Sequence, residues 1–337
     1  MHSTTISIST PGTQLAVDST HYTLRAKGRR IGRIPPGMIG QVMVHHGVEV
    51  SRKAMDRLGS TGVPVTFLGA DGRIQARLVA PWKYDAAPRI EQARCLLDPA
   101  TRLNLARRFV DAKVANSAHA LRRHAGNHPH PSLNEAIRNL NRVRSLLPEA
   151  ETIDQLLGHE GYAGRVYFGV FNRMLRPEWA VFNGRNRRPP LDPVNAVLSY
   201  CYGVLTNEAH TLVESIGLDP YIGYLHGTEA RRPNLALDVI EPFRPVLADR
   251  LALRLINLGQ LRPEHFVHEP PRPDVRIDRE GRMKVIEVYS EWASECQEEL
   301  GSDQPSPRRL LREEIQRLHD HCRRADLAGF EPHVQPQ

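Results

Sequence analysis

Residues 223–245 read Gly-Tyr-Leu-His-Gly-Thr-Glu-Ala-Arg-Arg-Pro-Asn-Leu-Ala-Leu-Asp-Val-Ile-Glu-Pro-Phe-Arg-Pro. They set His226 in a loop and place Asp238 and Glu241 three residues apart, on one face of a helix. An imidazole with carboxylates can hold a divalent metal, and neighbouring arginines such as Arg244 can hold a phosphate. That chemistry belongs to a phosphodiester substrate. A plainer reading exists: two acids near a helix start complement its dipole, and one histidine among 16 is usually structural. Against it, Leu235, Leu237, Val239, Ile240 and Phe243 demand burial, and buried carboxylates need a cation, either a metal or Arg244.

A further acid, Glu160, lies in Leu-Leu-Gly-His-Glu-Gly-Tyr-Ala-Gly-Arg, residues 156–165. Gly158, Gly161 and Gly164 recur every third residue of a helical stretch, where each glycine costs about 1 kcal/mol relative to alanine. Such a row implies that a ligand or another backbone approaches closely, or that helices pack tightly with Glu160 left in solvent. Arg165 is placed to meet a phosphate or an acid. Between Thr101 and Arg144 stand Arg102, Arg107, Arg108, Lys113, Arg122, Arg123, Arg138, Arg142 and Arg144, opposed only by Asp111 and Glu135. This is either a phosphate-binding face or a solvated helical surface. His119, His124, His128 and His130 flank a Pro-containing loop, and His319-Asp-His-Cys322 reads as a charged helix end. No P-loop, no GxGxxG after a strand and no GxSxG elbow supports ATP, NAD or serine chemistry.

The elements that must position these residues fall into two regions of an α+β chain: a small N-terminal β-rich domain and a larger all-α domain. Residues 1–82 read as mostly β, with strands near Ile6–Ile8, Leu15–Val17, Tyr22–Arg25, Arg30–Ile34, Val42–Val44, Val63–Leu68 and Ile74–Val79. Lys27-Gly28 and Ala70-Asp71-Gly72 mark turns, and Ser51 caps a short helix through Leu58. Residues 83–98 read as a linker and 99–330 as helical. Thr101 caps a helix through Arg123, and Thr152-Ile-Asp-Gln155 forms a capping box. Asp192-Pro193 opens an apolar helix that Gly217 ends. Asn234 caps the helix of Asp238 and Glu241, which Pro242 and Pro245 interrupt before a helix over 247–258. Residues 262–280 read as loop, 304–326 as a last helix, and 331–337 as a disordered tail.

The 337 residues suffice for about two domains. The net charge of +7 favours a polyanionic partner. Cys95, Cys201, Cys296 and Cys322 form no CxxC pair, which excludes a zinc ribbon or a disulfide framework and fits a reducing cytosol. No basic leader precedes an apolar run, and no segment reaches the ~18 apolar residues that span a bilayer. A soluble cytoplasmic protein without a membrane partner is expected.

With these residues placed, the sequence resembles the CRISPR-associated Cas-one family of adaptation integrases and endonucleases. Leu156–Gly161 is similar to the family's Gly-x-Glu-Gly segment, and Asn195–Leu205 to its central helix. Gly217–His226 and Leu235–Pro245 resemble its histidine and carboxylate blocks, and Arg108–Asn116 its basic helix. The resemblance runs over roughly residues 5–260, with His159 where an aliphatic residue is expected. It implies that Glu160, His226 and Glu241 bind Mg²⁺ or Mn²⁺, with Asp238 a supporting or alternate carboxylate and all four catalytic. It implies that Arg107, Arg108, Lys113, Arg122, Arg123, Arg165 and Arg244 face DNA. In this family a 3′-hydroxyl of a short duplex attacks a phosphodiester of the CRISPR repeat, so the implied partner is double-stranded DNA, as prespacer and as repeat. A homodimer formed through the N-terminal β domain and the small Cas-two protein complete the implied assembly. The competing readings are a stand-alone metal-dependent nuclease on branched DNA and a non-catalytic DNA-binding scaffold.

Overall fold

Alternating apolar residues and tight turns build the first part of the chain into two small sheets. A computed structural model describes residues 4–70, 74–79, 86–186, 188–228, 231–293 and 306–335. Its strands are β1 (Thr4–Ile8), β2 (Thr13–Val17), β3 (Tyr22–Ala26), β4 (Arg29–Ile34), β5 (Ile39–Val44), β6 (Glu49–Val50), β7 (Val65–Leu68) and β8 (Ile74–Leu78). One sheet runs β1-β5-β7-β8 and the other β4-β3-β2-β6. Lys27 and Gly28 take φ of 48° and 75°, the left-handed pair that closes the β3–β4 hairpin. Leu15, Tyr22, Val42, Leu58 and Val65 fill the space between the sheets and α1 (Arg52–Ser60), which Ser51 caps at the Ala54 N–H. The turn expected at Ala70-Asp71-Gly72 lies mostly outside the described residues.

The stretch expected as a linker is helical over most of its length: α2 spans Ala87–Leu97 and buries Cys95. Its Gln92 side chain bonds the Asp219 backbone in both directions, which ties it to the helical core. Next come α3 (Pro99–Asn127), α4 (Pro131–Leu146), α5 (Ile153–Gly169), α6 (Pro193–Ile216) and α7 (Asn234–Ile240). The caps expected at Thr152, Asp192 and Gly217 are present, but the box at Thr152 is incomplete, because the Gln155 side chain accepts the Glu151 N–H instead of that of Thr152. Two others shift: Asp98 caps α3 with Thr101 inside it, and Pro233 precedes α7 with Asn234 as its first residue. After α7 the prolines force a wide turn, Arg244–Ala248, before α8 (Asp249–Asn257).

The segment 262–280, expected as loop, contains a hairpin of β9 (Phe266–His268) and β10 (Val275–Ile277), followed by α9 (Arg279–Trp292). The last helix, α10, spans Pro307–Arg323. The expected disordered tail is instead laid down against the core as far as residue 335. Phe330 is buried beside Phe109, and Asn116 of α3 bonds the backbone of His333 and Gln335. The two regions meet through side chains: Thr66 pairs with Thr211 at 2.9 Å, Arg77 with Glu214 at 2.9 Å, and Thr5 of β1 donates to buried Glu208 of α6, which also bonds Tyr289 and Arg308.

Candidate metal and nucleic-acid site

A cleft of about 310 Å³ is lined by Lys113 from the middle of α3, Glu160 from α5 and Arg244 from the break after α7. Glu241 sits behind it against Lys113 and Arg244, and His226, from the loop after α6, lies beyond Glu241.

The loop is shaped by two glycines. A Cβ at Gly223 would lie 2.7 Å from the Asn234 carbonyl carbon, so only glycine lets the loop press onto the start of α7. Gly227 turns with φ of +65°, and its carbonyl accepts the Gly223 N–H at 3.0 Å. Arg102 reaches across from α3 to the Tyr224 carbonyl at 3.0 Å.

Asp238 is fully buried and organises this loop. Its Oδ2 accepts the Tyr224 and Leu225 N–H groups, and its Oδ1 accepts the His226 N–H at 3.1 Å and the ring Nδ1–H at 2.6 Å. Four contacts occupy both oxygens, so the carboxylate supports the imidazole and is not free to take a metal. With Nδ1 bound, Nε2 is the ring atom turned to Glu241, 3.8 Å from its Oε1. Burial pushes the His226 pKa down, but the bond and charge of Asp238, then Glu241, outweigh it and raise it above the ordinary value.

Glu241 is 2% exposed. Its Oε1 lies 2.9 Å from Arg244 Nη1, and its Oε2 lies 2.7 Å from Lys113 Nζ. Burial alone would raise its pKa; the charges of Arg244, then Lys113, then His226 reverse that and hold it at about 2. The carboxylate is therefore ionised. Both of its oxygens face cations, Oε1 the Arg244 guanidinium and Oε2 the Lys113 ammonium. Glu160 contacts Lys113 from the opposite wall.

These groups fit a hard divalent cation: two carboxylates and an imidazole with its far nitrogen anchored. They do not form a finished cage. Among the described residues no three His, Cys, Asp or Glu side chains are arranged to hold a metal ion, because the Lys113 ammonium stands between the two acids.

The basic residues divide. Arg107 is committed to the Leu147 and Ala150 carbonyls at 3.0 and 2.8 Å, and Arg108 to the Phe330 carbonyl and Glu331. Both clamp structure. Arg122 bonds Asn141, and Arg123 lines a separate cavity with His119, His124 and Arg250. Lys113, Arg165 and Arg244 line the cleft. Gly158, Gly161 and Gly164 meet no atom within 4 Å of where a Cβ would sit, so tight helix packing is not the reason for them. Gly161 and Gly164 form bare floor beside Glu160.

The cleft holds groups that the sequence reading missed. Arg185 and Arg244 both lie over the Tyr202 ring, at 5.3 and 5.2 Å. Asp249 accepts the Tyr202 hydroxyl at 2.6 Å, and burial pushes its pKa up to about 6. The basic run Arg185-Asn-Arg-Arg was a signal for the first; nothing local marked Asp249.

Comparison with known proteins places this architecture. The family profile described as CRISPR associated protein Cas1 matches residues 6–291. A CRISPR-associated endonuclease Cas1 of Rhodospirillum rubrum is 35% identical over 342 residues, covering 97% of each chain. Another, of Moorella thermoacetica, is 32% identical and covers 98% of this chain and 92% of its own length. Among solved structures, a CAS1 protein from Thermotoga maritima superposes with a TM-score of 0.76 at 23% identity, covering 99% of this chain and all of its own. A casposase bound to integration product also gives 0.76, at 20% identity over 99% of this chain and 96% of its own. These two likenesses show the fold. Among the described residues no helix is long and apolar enough to cross a membrane. The profile spans most of the chain and the relatives exceed 30% identity over nearly all of it, so the chain belongs to the Cas1 family of CRISPR-associated proteins.

Proposed function

We propose that this chain is a metal-dependent DNA integrase and endonuclease of CRISPR spacer acquisition, which joins the 3′-hydroxyl ends of a short duplex to the repeat by transesterification. The observation that carries this reading is the cluster of Glu160, Glu241 and His226 from three separate elements, joined through Lys113 beside a cleft lined by Glu160, Lys113, Arg165 and Arg244. A non-catalytic scaffold would leave those side chains apart; here Glu160 and Glu241 share one ammonium.

Glu160, Glu241 and the Nε2 of His226 would hold Mg²⁺ or Mn²⁺, and the imidazole tilts the choice slightly towards Mn²⁺. Such an ion would supply Lewis-acid activation of a hydroxyl and charge neutralisation at a phosphate. Asp238 fixes the tautomer and direction of His226 through Nδ1. Arg244 keeps Glu241 ionised and, with Arg165, offers guanidinium donors to phosphate oxygens in the cleft. No side-chain nucleophile is required, because the incoming hydroxyl belongs to DNA.

The similarity to chains in Cas6-RT-Cas1–Cas2 complexes and to the casposase supports DNA and a Cas2 protein as partners. Edge strand β4, with Ile31 59% exposed, supports the N-terminal sheets as the homodimer surface. The test is transfer of a labelled duplex into a repeat-bearing plasmid with Mg²⁺ or Mn²⁺. Glu160→Ala and His226→Ala are expected to abolish transfer while the circular dichroism stays native. Undiminished transfer by either folded variant would falsify the reading.

A further inference from the structure

The two carboxylates expected to share an ion already share one, and it belongs to the chain. Lys113 Nζ contacts Glu160 Oε1 and lies 2.7 Å from Glu241 Oε2. Its side chain is only 13% exposed, so this is not a mobile surface lysine. Its position in α3 aims it between α5 and the break after α7. Two carboxylates brought this close repel unless a cation joins them, and Glu241 is too buried for water to serve.

The nature of the cation matters. Arg244, the other charge on Glu241, is fixed: it bonds Oε1 at 2.9 Å and lies over the Tyr202 ring. A guanidinium is planar and rigid, whereas an ammonium is a compact charge on a flexible four-carbon stem. Lys113 therefore occupies the point between the acids as the partner able to leave.

We propose that Lys113 is an internal counter-ion: its ammonium bridges Glu160 and Glu241 before a divalent cation binds, and the two cations compete for the same carboxylate oxygens. This rests on the metal reading above. It also gives a reason why no three acid or histidine groups among the described residues surround a common point. Lys113 would thus act as a positioning residue, holding the acids at a spacing that a metal can enter.

The experiment is a Mn²⁺ titration of the full chain at fixed pH and salt, following free Mn²⁺ by electron paramagnetic resonance, together with the Tm of the metal-free protein. Lys113→Met is expected to lower the metal-free Tm, because two acids lose their shared charge. The same change is expected to tighten Mn²⁺ binding on the order of tenfold, because a competitor is gone. Lys113→Arg, a fork that leaves less readily, is expected to weaken Mn²⁺ binding. Arg138→Met removes a positive charge from an exposed face of α4 and should leave Mn²⁺ affinity within about twofold. Mn²⁺ binding by Lys113→Met that is equal to or weaker than wild type overturns the proposal. So does equal tightening by Arg138→Met, which would mark a general field effect. If Lys113→Met does not fold, a Lys113→Arg protein with unchanged affinity overturns it instead. Glu241→Gln separates the two readings. If wild type binds Mn²⁺ and Glu241→Gln does not, the metal site stands whatever Lys113 does; if wild type binds none, the metal reading and the counter-ion fall together.

Discussion

At the scale of single residues, the carboxylate inside α7 and the one just past its end differ in what surrounds them. Asp238 is saturated by donors from the loop it holds, while Glu241 is surrounded by cations. A third acid, Asp249, has help too weak to offset its burial. Burial lifts its pKa from 3.8 to about 6 against the Tyr202 hydroxyl and the charges of Arg185 and Arg244. A raised carboxyl pKa means that the folded state binds the proton more tightly than the unfolded chain. Its contribution to stability is complete below about pH 4 and is lost as pH rises through about 6, worth about 3 kcal/mol in all. Asp249→Asn keeps an acceptor for Tyr202 and removes the titration. Urea unfolding at pH 4 and pH 7 should show that the variant loses less stability across this interval than the wild type does.

At the scale of elements, chain-end segments reach the site from far away in sequence. Asn116, one helical turn past Lys113, bonds the Pro242 carbonyl just after Glu241 and also the backbone of the C-terminal strap. His333 of that strap stacks on Phe243 at 5.5 Å, nearly parallel. The strap thus braces the turn that carries Glu241 and Arg244. Its anchor is Phe330, fully buried against Phe109. Phe330→Ala should cost about 3–5 kcal/mol in urea unfolding and lower the Tm. The sequence held a clue, since Phe330 is an aromatic residue in a polar segment, but only the packing against Phe109 shows where it goes. The β9–β10 hairpin was hidden similarly: Pro270, Pro271 and Pro273 sit in its connection, and proline richness reads as loop.

At the scale of the whole molecule, the division into a strand-rich start and a helical remainder was legible because it depends on local period and on caps such as Thr152, Asp192 and Gly217. Glu160, His226, Asp238 and Glu241 stood out because their spacing and flanking glycines are local as well. The partners were not legible. Lys113 meets Glu241 across 128 positions, and Arg108 meets Phe330 across 222, so charge alone could not tell a site cation from a clamp. One contact between the two regions is equally non-local. Glu208 of α6 is fully buried and bonds Arg308, Tyr289 and, more loosely, Thr5 of β1. Arg308→Met would strand that carboxylate and is expected to lower stability by about 3–5 kcal/mol, measured by chemical denaturation. Restoring a neutral partner with Glu208→Gln in the same chain should recover much of the loss.

The bare face of α5 has a consequence for anyone seeking a hardier protein. Alanine at Gly161 or Gly164 meets no neighbouring atom and should strengthen the helix by up to about 1 kcal/mol each. A search for heat resistance would select these changes early. They would also lay methyl groups on the floor beside Glu160. The double alanine variant is expected to melt later and to join DNA ends more slowly, a result that thermal scanning and the plasmid assay would reveal together. The helix is weaker than its fold alone requires, and the forgone stability is the measure of what a smooth floor is worth to the organism.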